Sequence, residues 1–182
     1  MSVPFLYGAG IAIAQALVSL GFFFAGLHST AERLAGAQWL GTLLMLGVSL
    51  AGLSFAVRER RADFPLDREW GFAPAFGTGV LTGLWASLLG ILPNYLYFSV
   101  INPGFGDALI EMQQAALEAK GMPAAEIEKI MPALAKFTGP AVLTASGSFM
   151  GFFWSSILAL GVAFFLRRRP AVAGGVSTPA SR

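Results

Sequence analysis

The sequence predicts an all-α membrane protein: four transmembrane helices plus an extracytoplasmic amphipathic helical hairpin between spans three and four. Three observations carry this. Only 12% of the 182 residues are charged and 55% are hydrophobic, where soluble domains carry roughly 25% charged residues. Residues 5–27, 37–57, 72–101 and 139–166 are apolar and contain no Asp, Glu, Lys or Arg, and each reaches the length of about 20 residues that a hydrocarbon core requires. Between the third and fourth stretches lies a segment patterned as two short amphipathic helices, about 103–137. A single domain over 1–168 and a disordered cytoplasmic tail over 169–182 follow from this division.

Span one starts without a preceding Lys or Arg and outruns a signal-peptide core, so it is expected to be retained. A short connection, HSTAERLAG, leads into span two. The next connection, RERRADFPLDREWG, holds four arginines. Span three has thirty residues, about 45 Å of helix against a core of about 30 Å. Pro93 removes one helical amide from it, which predicts a kink, and Tyr95, Tyr97 and Phe98 follow at the level where amphipathic rings settle.

Asn102 before Pro103 has the chemistry of a helix start. Phe105, Leu109, Met112 and Ala116 then form one apolar stripe, and Gly121 ends that helix. Ile127, Ile130, Met131, Leu134 and Phe137 form the stripe of a second, in which Pro132 is expected to kink or split the last turn. Span four closes the bundle.

Orientation comes from Lys and Arg. The second connection and the tail carry Arg58, Arg60, Arg61, Arg68, Arg167, Arg168, Arg169 and Arg182, whereas the other two connections carry Arg33 and three lysines. The positive-inside rule then places both termini in the cytoplasm and the acidic segment outside. Arg58, Arg60, Arg61, Arg167, Arg168 and Arg169 sit at span ends, where anionic lipid is the expected partner, each contact contributing about 1 kcal/mol. A formal charge of +2 gives no reason to expect nucleic acid.

Helices in lipid associate through close backbone approach at small residues. Span three carries Ala75, Gly79, Gly83 and Ser87 at four-residue intervals, and span four carries Gly147, Gly151, Ser155, Ala159 and Ala163. These two ridges predict tight packing of span three on span four; a homodimer seam is the alternative, and the oligomeric state stays open.

Gln15 in span one and Asn94 in span three are amide side chains well inside the apolar stretches. Each is expected to make an interhelical hydrogen bond, or else to line a polar pocket in a carrier of lipid or small molecules. The lack of any charged residue within a span argues against an ion-coupled transporter. An intramembrane hydrolase would need Ser146 and His28 within hydrogen-bond reach, yet their depths along the spans differ by about 10 Å at the 1.5 Å helical rise. With no cysteine, one histidine and glutamates without ligand-loop spacing, neither a metal site nor a cofactor is expected.

The run Ala75-Phe76-x-x-Gly79, Asn94-Tyr95, Tyr97-Phe98, Ile101-Asn102-Pro103-x-Phe105, Gly121-Met122, Glu126-Ile127-Glu128 and Lys136-Phe137-Thr138 resembles a bacterial membrane-protein family known as domain of unknown function 4199. The likeness covers about residues 70–168, with departures at Pro123 and Pro132. It implies a four-span inner-membrane protein and brings no catalytic residue. The expected role is a non-enzymatic interaction or assembly component, with a protein partner at the outer hairpin.

Overall fold

A computed structural model describes residues 2–65 and 69–167. Arg68, Arg168, Arg169 and the 169–182 tail lie outside the described residues. The helices are α1 (Val3–Phe24), α2 (Ala31–Ala62), α3 (Phe72–Leu96), α4 (Phe105–Ala119), α5 (Ala124–Ala135) and α6 (Pro140–Leu166), with one wider π-type turn, Tyr97–Ile101, continuing α3. Among the described residues there is no β-strand, and four helices are long and apolar enough to cross a membrane: α1, α2, α3 with its π-turn, and α6.

The ends of α2 differ most from expectation. It begins at Ala31 because the Thr30 hydroxyl accepts from the Arg33 amide, 3.4 Å away. It ends at Ala62 because Arg58–Arg61 are good helix formers that prolong it beyond its apolar stretch. The link from α1 is therefore a short turn, made with Gly26 at φ +71, a left-handed conformation that glycine adopts without steric cost.

α3 is the central helix and packs on α1, α2 and α6. Its seam with α6 is a ladder of small residues running in opposite directions. A Cβ built on Gly79 would lie 2.7 Å from that of Ala159, and one on Gly83 would lie 2.6 Å from that of Ser155. One turn further, Gly151 faces the Ser87 hydroxyl; at the other end Ala75 and Ala163 are both fully buried in one cluster. Each step of four along α3 is met by a step of four back along α6. Gly147 leaves the ladder and stands exposed with no side chain near its absent Cβ. The α1–α3 approach is equally close, since a Cβ on Gly8 would lie 2.6 Å from the Cβ of Trp85.

At the arginine-bearing end the core consists of Leu53, Val57, Trp70, Ala75, Val162 and Ala163, flanked by Phe64 and Phe76. Trp70, which the sequence places in a charged connection, is 2% exposed. Its ring folds back between α2 and α6 and meets Phe64 edge-on. Arg61 donates to the Leu166 carbonyl at 3.2 Å and so satisfies an orphan group at the end of α6, while the Arg167 guanidinium lies 4.5 Å over the Phe164 ring. Arg58 and Arg60 are exposed.

The opposite end carries the hairpin. α4 packs on α2 and α5 packs on α4, with the reversal at Gly121, φ +77. Both helices bury little: Ala108 in α4 and Ile127 in α5. Pro132 does not split α5, which runs to Ala135, so the last turn survives the loss of one amide.

Candidate functional site

A buried polar cluster forms where the hairpin meets the bundle. After Pro93, α3 cannot donate from that position, and one turn later its backbone relaxes into the wider π-turn, a form often found at functional positions. That widening points Tyr97 inward, 4% exposed. The Tyr97 hydroxyl lies 2.5 Å from His28 Nδ1, and Asn102 Nδ2 donates to it at 3.3 Å. A second bond from Asn102 Nδ2, 3.2 Å to the His28 carbonyl, ties the α1–α2 turn to the α3–α4 turn.

The expected helix cap is thereby corrected. Asn102 does not cap α4, which begins at Phe105 after Gly104. Its side chain is instead 7% exposed, committed to His28 and Tyr97, while its carbonyl accepts from the Phe105 amide at 3.1 Å. A buried amide with one partner across the structure, the His28 carbonyl, and one on the preceding turn, Tyr97, contributes more than one local cap in contact with water.

Asn102 donates to the Tyr97 oxygen, and the phenol proton can then pass onward to His28 Nδ1 when the ring is the neutral tautomer that leaves this nitrogen as acceptor. Rings of Phe22, Phe105 and Tyr97 surround the imidazole with centroids 5.3, 5.3 and 5.9 Å away. Burial pushes its pKa below the ordinary histidine value, in keeping with a neutral ring.

The residues singled out by sequence fall in different places. Gln15 Nε2 donates to Ser49 Oγ at 3.0 Å and to the Met45 carbonyl at 3.5 Å, joining α1 to α2. Asn94 makes no side-chain hydrogen bond among the described residues and lines a cavity of about 140 Å³ with Ser19, Leu20, Pro93 and Tyr97. Gln15 lines a different crevice, with Met45, Ser49 and Trp154. The Ser146 hydroxyl donates to the Leu143 carbonyl on its own helix at 3.3 Å, and His28 is engaged by Tyr97. No group of three or more His, Cys, Asp or Glu placed to hold a metal occurs among the described residues.

Sequence reasoning missed that His28, Tyr97 and Asn102 form one unit. The sequence carries two signals, the single histidine and the Asn-Pro-x-Phe run, but each has a local explanation, and His28 and Asn102 stand 74 residues apart.

These features define a class: an all-helical protein with four membrane-length helices, centred on a small-residue α3–α6 seam and closed at one end by a hairpin latched through His28, Tyr97 and Asn102. The chain belongs to the family described as protein of unknown function DUF4199, whose model matches residues 6–168. No curated protein and no solved structure matches it.

Proposed function

We propose that the chain is a non-enzymatic interaction or assembly component of a bacterial inner membrane, with both termini cytoplasmic and the hairpin outside as its docking element. The supporting observation is the groove between α4 and α5, about 510 Å³, with Ile110, Ile127, Met131 and Ala135 along it and Glu118 and Glu128 at its rim. Two amphipathic helices that packed only for their own stability would close this space. The fitting partner is an amphipathic helix whose apolar face is flanked by lysine or arginine. Ile130 and Phe137, 38% and 66% exposed, extend the apolar surface beyond the groove. On the other side, exposed Arg58 and Arg60 suit anionic lipid and agree with a cytoplasmic face.

The carrier alternative draws no support from the site, because Gln15 and Asn94 line separate spaces. The hydrolase pair draws none either, since each member is engaged elsewhere. The test is photocrosslinking in native membranes from probes at Ile130 and Met131, compared with a probe at Leu160 on α6. A discrete adduct from the hairpin probes that is lost in Glu118→Lys/Glu128→Lys is expected. Adducts to lipid alone, or an unchanged protein adduct in the double variant, would overturn the proposal.

A further inference from the structure

The crevice between α1, α2 and α6 lies near the middle of all three helices, with Gln15 on α1, Ser49 and Met45 on α2 and Trp154 on α6. It measures about 470 Å³, within the size range of small-molecule sites. Its polar groups are oriented. The Met45 carbonyl can only accept, so the Gln15 nitrogen must face α2, where it also meets Ser49 Oγ. The Ser49 hydroxyl is itself spent on the Met45 carbonyl at 3.0 Å.

Two polar atoms are left over at this depth. Gln15 Oε1 accepts no hydrogen bond from the described residues, and the indole Nε1–H of Trp154, a residue 46% exposed, donates none. Acyl chains cannot satisfy either, and polar groups within the hydrocarbon region ordinarily find a partner. We propose that this crevice binds a membrane-soluble alcohol, an apolar body carrying a hydroxyl that donates to Gln15 Oε1 and accepts from Trp154 Nε1–H. A hydroxyl is the smallest group that answers both needs. Met45, Leu46 and Met150 supply a wall of adaptable side chains for the body.

The site is independent of the hairpin groove, and its test does not depend on a partner. The full chain is reconstituted in phosphatidylcholine vesicles and irradiated with a diazirine-bearing long-chain alcohol, or with its methyl ether, which cannot donate; labelled peptides are mapped by mass spectrometry. The alcohol is expected to label the segments around Met45 and Met150 about fivefold more than the ether, the effect of one net hydrogen bond. Unlabelled alcohol competes, and Gln15→Met abolishes the preference. Trp154→Phe breaks no hydrogen bond among the described residues and keeps an aromatic ring beside Phe153, so weakened labelling there is readable even if Gln15→Met fails to fold. Equal labelling by the ether, adducts spread evenly over lipid-facing residues, labelling that falls as protein density rises because a second copy covers the crevice, or unchanged labelling in Trp154→Phe would each overturn the proposal.

Discussion

Gly79→Ala and Gly77→Ala make the same chemical change two residues apart on α3 and should differ sharply in outcome. At Gly79 the new methyl would lie 2.7 Å from Ala159 Cβ and 3.4 Å from its Cα. Carbon atoms prefer about 3.5–4.0 Å, so the seam must open by about 1 Å. Neither methyl can rotate away, because both are fixed to backbone. Overpacking of this kind costs about 1–3 kcal/mol. At Gly77 nothing lies within 4 Å of the added methyl. Both variants gain the same helix propensity, up to about 1 kcal/mol, so it cancels in the comparison. Reversible unfolding in mixed detergent micelles, or steric trapping in bicelles, should therefore place Gly79→Ala about 1–3 kcal/mol below Gly77→Ala. Adding Ala159→Gly to Gly79→Ala moves the methyl to the other side of the contact and should recover much of the loss. Equal stability of the two single variants, or no recovery in the double, would refute the ladder.

Tyr97→Phe removes the hydroxyl shared by His28 and Asn102 and should cost about 1–3 kcal/mol by the same unfolding assay, with strong non-additivity when combined with His28→Ala. Since burial lowers the folded-state pKa of His28, the unfolded chain binds more protons below about pH 6.5. Stability from this group is complete above that value and declines as pH falls toward the folded-state pKa; His28→Gln should flatten the decline, which an unfolding series from pH 8 to 5 would reveal. Trp70→Ala empties the arginine-end core and should cost about 3–5 kcal/mol, measurable as early unfolding and new protease cleavage near residue 64. Because the chain has no cysteine, single Cys residues at the exposed positions Lys120 and Arg60 can report sidedness: an impermeant maleimide should label Lys120→Cys in intact cells and Arg60→Cys only after permeabilisation.

Composition and spacing were enough to define four membrane-length helices and the two-helix segment between the third and fourth, because the length and chemistry of a membrane helix are imposed by the bilayer and can be counted along the chain. The α3–α6 seam was legible for a similar reason: four-residue periodicity places small side chains on one face whatever lies opposite. Periodicity could not say where the ladder stops, and Gly147 falls outside it because register depends on where α6 begins relative to α3. The ends of α2 were hidden because hydropathy marks apolar residues, while a helix continues for as long as its backbone and caps allow.

Trp70, Asn102 and His28 needed the tertiary structure for a different reason. Each stands in a connection where a local role exists, as an interfacial ring, a helix cap or a turn residue. Which role wins depends on partners far along the chain, brought within reach only when α3 packs between its neighbours. The sequence by itself determined that this protein is built from membrane-length helices and which faces are small, because those are properties of single segments. Only the tertiary structure decided that the hairpin is latched by His28, Tyr97 and Asn102 and that Gln15 and Asn94 serve separate spaces, because hydrogen bonds and cavities belong to pairs of segments.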